Sequence, residues 1–80
     1  MTLDLPQAIL DLLAQRSPTA SVCPSEIARL HGGEQWRALM EPVRQAAARL
    51  VADGEVEITQ AGKVVDLATA KGPIRIRPAR

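Results

Sequence analysis

Apolar side chains recur with a helical period near the start of the chain. They fall at i, i+4, i+7 and i+8, at Leu5, Ile9, Leu12 and Leu13. Asp4 precedes this stripe and is the predicted N-cap, with Gln7 as its capping-box partner. Pro6 stands in the first turn, where a missing N–H is tolerated. The Ser-Pro-Thr sequence at 17–19 predicts that this helix ends near Arg16.

A second helix is predicted to begin at the sequence Cys-Pro-Ser-Glu, residues 23–26. Because proline fits the first helical position, Cys23 becomes the N-cap and Glu26 the third residue of the helix. The helix has a short apolar face, made of Ile27, Ala28 and Leu30. Glycine adopts the left-handed cap conformation at low cost, so the pair Gly32-Gly33 predicts the end of the helix.

Residues 34–53 keep a helical pattern but contain Pro42. A proline inside a helix removes a hydrogen bond and costs about 3 kcal/mol, which predicts a break. We expect a short turn over 34–40, followed by a helix from Pro42 to Asp53 that Gly54 closes. The turn carries Trp36, Leu39 and Met40, and the helix has an apolar stripe of Val43, Ala46, Ala47, Leu50 and Val51.

Apolar and polar residues alternate over 55–59 and again over 73–77, which is typical of half-buried strands. We expect these two segments to pair antiparallel as a hairpin. Val64-Val65 forms either a third short strand or part of the long connection. Glycines at 62 and 72 mark turns within that connection.

Three helices followed by a hairpin predict an α+β domain over residues 1–80, specifically a three-helix winged helix-turn-helix with a C-terminal antiparallel β-hairpin wing. The alternative is a bare three-helix bundle with an ordered tail. The residues expected to be mostly buried are Leu5, Ile9, Leu12, Leu13, Ile27, Leu30, Trp36, Leu39, Val43, Ala47, Leu50, Val56, Ile58 and Ile76.

The chain of 80 residues has one cysteine and one histidine. These numbers exclude an internal disulfide and a structural zinc site with four Cys or His ligands. Cys23 and His31 lie at opposite ends of one predicted helix, about 12 Å apart, too far for one to activate the other. We therefore expect no enzymatic activity, no metal and no cofactor.

The chain has ten Lys and Arg residues against nine Asp and Glu residues. The basic residues are concentrated at the end, since 71–80 holds four of them and no acid. The sequence has no secretory signal and no apolar run of the roughly 20 residues that a membrane span requires. A lone thiol suits the cytosol, so the expected location is cytoplasmic.

Short strings spread over about residues 8–77 support this fold: Cys23-Pro24-Ser25-Glu26-Ile27-Ala28, Trp36-Arg37, Pro42-Val43-Arg44 with Ala46-Ala47, Ile58-Thr59-Gln60 with Gly62, and Gly72-Pro73-Ile74-Arg75. Together they resemble a family of short bacterial winged-helix proteins catalogued as a domain of unknown function. The resemblance implies a winged-helix fold. It implies no activity and no site residues, because the family has none assigned.

In a helix-turn-helix domain the recognition helix commonly enters the major groove of DNA, and in a winged helix the wing contacts the backbone or the minor groove. The candidate nucleic-acid-binding residues are Arg44, Gln45 and Arg49 on the helix and Lys63 and Lys71 in the wing. Arginine reads guanine and glutamine reads adenine through paired hydrogen bonds.

Acidic residues at helical spacing weaken this interpretation, because i,i+3 and i,i+4 ion pairs usually mark an ordinary solvated surface. The predicted pairs are Arg29 with Glu26, Arg37 with Glu34 and Glu41, Arg44 with Glu41, Arg49 with Asp53, and Arg75 and Arg77 with Glu55 and Glu57. The cations left without a predicted partner are Arg16, Lys63, Lys71 and Arg80.

Three further residues need an interpretation, and for two of them a functional and a structural one are open. Cys23 is either a redox-sensing thiol at a helix N-terminus or an inert cap. Trp36 either stacks on a base or fills the core. His31 is expected to interact with the C-terminal end of its helix.

The leading functional hypothesis is a cytoplasmic winged-helix domain that binds DNA through helix 42–53 and the wing. The alternative is a protein-interaction module with the same fold, binding another protein or forming a homodimer, without nucleic acid. Fold alone does not separate the two.

Overall fold

The computed structural model describes residues 4–16 and 20–79 of the chain. The α-helices are α1 (Leu5–Ala14), α2 (Pro24–Gly32) and α3 (Trp36–Ala52), and a 3₁₀ turn (Gly33–Gln35) joins the last two. The strands are β1 (Val56–Gln60), β2 (Lys63–Val64) and β3 (Arg75–Pro78). This order confirms an α+β architecture. Within the described ranges, no helix combines the length and the apolar character needed to cross a bilayer.

Helix α1 begins as predicted, with Asp4 accepting a hydrogen bond from the Gln7 N–H at 3.1 Å. The predicted capping box is not completed, because the cap of α1 has the bond from Gln7 N–H to Asp4 without the reciprocal bond to the Gln7 side chain. The Gln7 side-chain amide donates to Asp11, one turn later, at 2.8 Å. The helix ends at Ala14, and Gln15 is its C-cap. The predicted stop signal at 17–19 lies outside the described residues.

Helix α2 follows the sequence prediction at both ends. Cys23 is the N-cap and Pro24 the first helical residue. Glu26 accepts a hydrogen bond from the Cys23 N–H at 2.7 Å. Gly33 follows the last residue with φ +54°, a conformation that a residue with a side chain rarely adopts.

The predicted break at Pro42 is wrong, because α3 continues through it from Trp36 to Ala52. Pro42 cannot donate a hydrogen bond to the carbonyl of Ala38, but both residues are exposed, so solvent can hydrate that carbonyl. Beside this exposed side runs an uninterrupted apolar stripe, made of Leu39, Val43, Ala46, Ala47 and Leu50. Burial of this stripe offsets the cost of the proline.

The sheet has the strand order β2-β1-β3, and both pairings are antiparallel. The predicted pairing of 55–59 with 73–77 is confirmed in direction, with Ile58 opposite Ile76, although the strands begin one or two residues later. The possible third strand forms at Lys63–Val64. Val22 adds a bridge that the sequence did not predict, by exchanging two backbone hydrogen bonds with Ile76.

The core lies between the three helices and one face of the sheet. Nine of the residues predicted to be buried are so: Ile9, Leu13, Ile27, Val43, Ala47, Leu50, Val56, Ile58 and Ile76. Four more pack against the core while partly exposed: Leu5, Leu12, Trp36 and Leu39. The prediction for Leu30 is wrong, since 64% of it is exposed. Ala28 is buried, and a residue two positions further along a helix points to nearly the opposite side.

Candidate nucleic-acid interface

The solvent face of α3 carries the three helical candidates. Gln45 and Arg49 are exposed and Arg44 is half-buried. Their neighbours Val43, Ala46, Ala47 and Leu50 are buried on the opposite side. This burial fixes how α3 is rotated about its axis, and therefore which side chains it presents to solvent.

Gln45 and Arg49 lie together, because they are four residues apart on one side of the helix. They line a groove whose other wall is the start of α1, formed by Asp4, Leu5 and Pro6. Arg44 points toward a different side of α3. The three candidates therefore share the solvent face of the helix but do not converge on a single point.

Arg44 lies beside the connection between β2 and β3. It lines one cleft with Leu67 and Ala70, and a second cleft with Gly72 and Pro73. Lys71 follows Ala70 and precedes Gly72 in the sequence, and its side chain is exposed. The fold thus brings the backbone that carries Lys71 close to α3 at Arg44.

The two lysine candidates are organised around Gln60 at the end of β1. Lys63 is the residue opposite Gln60 in the β1–β2 pair. The side-chain amide of Gln60 donates to the carbonyl of Lys71, and also to that of Pro73 at 3.2 Å. The predicted wing residues therefore lie at the same end of the sheet, and both are exposed.

None of the five ion pairs predicted within helices is formed among the described residues. The salt bridges in residues 4–16 and 20–79 join Arg16 and Arg75 to Glu26, and Arg77 to Glu57. Of the predicted pairs, only Arg77 with Glu57 is confirmed. In this part of the chain, no carboxylate lies within 4 Å of the charged groups of the α2 and α3 arginines, which are Arg29, Arg37, Arg44 and Arg49.

Glu26, the predicted partner of Arg29, is instead engaged by other groups. Its carboxylate lies 2.9 Å from the Arg16 guanidinium and 3.9 Å from that of Arg75, and it also accepts the Cys23 N–H. Burial raises the pKa of Glu26, but the hydrogen bonds from Cys23 and Arg16 and the charges of Arg16 and Arg75 outweigh burial. The net pKa of Glu26 lies below its ordinary value.

The sequence prediction missed a group of residues at the junction of α2 and α3. The guanidinium carbons of Arg29 and Arg37 each lie 4.5 Å from the centre of the Trp36 ring. Trp36 also packs against the core with one part of its surface, as one of its two interpretations predicted. The sequence shows Trp36 beside Arg37, but the seven-residue separation from Arg29 spans a turn and has no fixed geometry.

The side chains of Cys23 and His31 stay at the two ends of α2. Cys23 is half-buried, with its Sγ 2.8 Å from the Ser25 Oγ, and His31 is exposed. The described ranges contain no group of three His, Cys, Asp or Glu residues that could hold a metal ion.

The model of one protein family matches residues 3–79, nearly the whole chain. The family is described as "Protein of unknown function (DUF3253)". This match confirms the resemblance to a family without an assigned function. Among curated proteins, none matches the chain with significance.

Proposed function

The chain belongs to a family of unknown function, DUF3253, and from the geometry above we propose that it is a cytoplasmic winged-helix domain that binds duplex DNA through α3 and a wing formed by residues 61–74. It acts as a binding protein and not as an enzyme. Arg44, Gln45 and Arg49 contact the major groove, and Lys63 and Lys71 contact the backbone.

The arrangement of elements supports the winged-helix assignment. A turn of three residues, Gly33–Gln35, joins α2 to α3, and turns of this length, often with glycine, are typical of helix-turn-helix motifs. The antiparallel sheet follows α3 directly. The 61–74 segment then packs its Leu67 and Ala70 beside α3, where a wing would flank a recognition helix.

One observation carries the proposal of DNA binding. The arginines of α3 are Arg37, Arg44 and Arg49, and within the described residues none of them forms an ion pair. The ion pairs expected within this helix are therefore not formed among those residues. Arginines that are not held in an ion pair are available to attract phosphate and to read guanine.

The test is a titration of the protein with labelled duplex DNA at several salt concentrations. Four cationic contacts, by Arg44, Arg49, Lys63 and Lys71, predict a slope of log affinity against log salt near −3.6, at about −0.9 per phosphate contact. Lys63→Ala makes the slope less negative by about one unit and leaves the base preference unchanged. Arg44→Gln instead alters base preference, at about 1–3 kcal/mol if it reads a guanine.

Arg77→Gln is the matched control, because it also removes one positive charge but lies in the ion pair with Glu57. The control keeps the wild-type slope. Binding that stays undetectable at ~50 mM salt and micromolar protein overturns the DNA proposal, because the electrostatic attraction is largest at low salt.

A protein-interaction module, including a homodimer, is the second candidate. The specific observation that favours it is the exposure of Leu30, which borders a groove with Leu12 and His31 on the side of α1 and α2. This candidate predicts a change of oligomeric state or a partner-dependent effect of Leu30→Ser, with no salt-dependent affinity for DNA.

A further inference from the structure

Two positive charges are held close together at the junction of α2 and α3. The guanidinium carbons of Arg29, from α2, and Arg37, from α3, both lie 4.5 Å from the centre of the Trp36 ring. They are therefore separated by at most twice that distance. A cation over an aromatic face is attracted by the negative charge of the ring's π surface.

Among residues 4–16 and 20–79, no carboxylate lies within 4 Å of either guanidinium group. Glu26, one turn before Arg29, is bound to Arg16, the Cys23 N–H and Arg75. Glu34 and Glu41 flank Arg37 in the sequence, yet within the described ranges neither forms a salt bridge. The attraction of the ring thus holds together two like charges that repel each other.

The junction is also closely packed, which fixes where the two arginines project. A Cβ built on Gly32 would lie 2.9 Å from the Leu39 Cδ1 and 3.7 Å from the Trp36 Cβ. The end of α2 therefore lies against the side chains of Trp36 and Leu39 in the first turn of α3. Arg29 lies one turn before this contact, which places its backbone close to Trp36.

We propose that Arg29 and Arg37 together bind a phosphate group of the DNA backbone, with Trp36 as the residue that positions both guanidinium groups. This inference rests on the proposed function and deepens it, because it extends the interface from α3 onto α2. A guanidinium forms paired hydrogen bonds with phosphate oxygens. A phosphate that contacts both guanidinium groups also offsets their mutual repulsion.

Trp36 makes the site directly observable, because it is the only aromatic residue of the chain apart from His31. Its fluorescence is recorded while the protein is titrated separately with a short DNA duplex and with tripolyphosphate, an anion without bases or sugar. The variants are Arg29→Gln and Arg37→Gln, and Arg77→Gln is the charge-matched control. Thermal unfolding of each variant, followed by circular dichroism, establishes that it is folded.

We expect both ligands to change the fluorescence of Trp36, and the change to level off as the site becomes fully occupied. Because the two arginines share one phosphate, this site adds one contact and steepens the expected wild-type DNA salt slope from about −3.6 to about −4.5, at about −0.9 per contact. Each of Arg29→Gln and Arg37→Gln makes the slope less negative, by up to that one contact. Each also weakens binding of tripolyphosphate several-fold. Arg77→Gln reproduces the wild-type behaviour in both titrations.

The outcomes separate this inference from the function on which it rests. Wild-type affinity and slope for DNA in folded Arg29→Gln and Arg37→Gln proteins overturn the phosphate site and leave DNA binding by α3 standing. A second outcome is that tripolyphosphate binds in a way that depends on both arginines while DNA does not bind at all. This result overturns the proposal that the phosphate belongs to DNA. No fluorescence response to either ligand overturns the site altogether.

Discussion

At the scale of single residues, Glu26 links three separate segments. Its carboxylate meets Arg16 just after α1, the Cys23 N–H at the start of α2, and Arg75 on β3. Arg75 in turn donates from Nε to the Ser21 Oγ at 2.6 Å. The sequence identified Glu26 as a capping residue, but its contacts with Arg16 and Arg75 depend on the tertiary fold and could not be predicted.

Replacing Glu26 with Gln is expected to destabilise the protein by about 1–2 kcal/mol at neutral pH, because a charged cap and its ion pairs are lost. The lowered pKa of Glu26 makes this contribution dependent on pH. It is fully present above the ordinary carboxylate pKa of 4.5 and is lost as the pH falls through the lower, folded-state value.

Urea denaturation of the wild type and Glu26→Gln at pH 7 and pH 3 measures this effect. The difference in free energy of unfolding between the two proteins shrinks at the lower pH. Glu41→Gln is the control, since Glu41 is exposed and forms no salt bridge with any described residue. A difference that is the same at both pH values contradicts the account of Glu26.

Leu50 and Leu30 form a matched pair that tests the assignment of the core. Leu50 is buried in α3, and Leu50→Ala is expected to lower the free energy of unfolding by about 2–5 kcal/mol. Leu30 is mostly exposed, and Leu30→Ala is expected to change it by less than about 0.5 kcal/mol. Trp36 fluorescence during urea denaturation reports both values, and equal losses would mean that α2 is rotated differently.

At the scale of elements, the sequence predicted the caps of α2 and the period of the strands because both depend on neighbouring residues. It failed at Pro42. The rule that proline breaks a helix was outweighed there by burial of the apolar stripe that continues from Leu39 to Leu50. It also missed Val22, which is buried by long-range packing without a neighbouring pattern and joins the sheet through Ile76. Ile74 is buried as well, and it was left out of the predicted core although it belongs to the alternating pattern over 73–77.

Pro42→Ala tests whether α3 is continuous. In an unbroken helix this change restores a hydrogen-bond donor and is expected to raise the free energy of unfolding by about 2–3 kcal/mol. Ala48→Gly, at another exposed position of α3, is expected to lower it by about 1 kcal/mol. Chemical denaturation gives both values. A Pro42→Ala protein that is less stable than the wild type would indicate that the helix begins at Pro42 after all.

At the scale of the whole molecule, the net charge is only +1, and acidic residues lie near the arginines of α3. Asp4 lines one groove with Arg49, and Glu41 lines one cleft with Arg44. Even so, the arginines of α3 have no salt bridge to any described residue.

Within the described residues, the basic segment from residue 71 onward is tied to the rest of the fold. Arg75 forms an ion pair with Glu26, and Arg77 forms one with Glu57. The sequence correctly located Arg44, Gln45 and Arg49 on a solvent-exposed helix face. It could not find the site at Arg29 and Arg37, because that site depends on how two helices meet across a turn.

The most direct test of DNA binding by α3 and the wing is a ¹⁵N NMR titration of the full chain with a short DNA duplex at ~50 mM salt. The account predicts that amide shifts change along the exposed face of α3 and over residues 61–74, while the amides of Asp11 and its neighbours on α1 stay unchanged. Shift changes confined to α1 and the Leu30 groove, or no changes at micromolar protein and excess duplex, would contradict it.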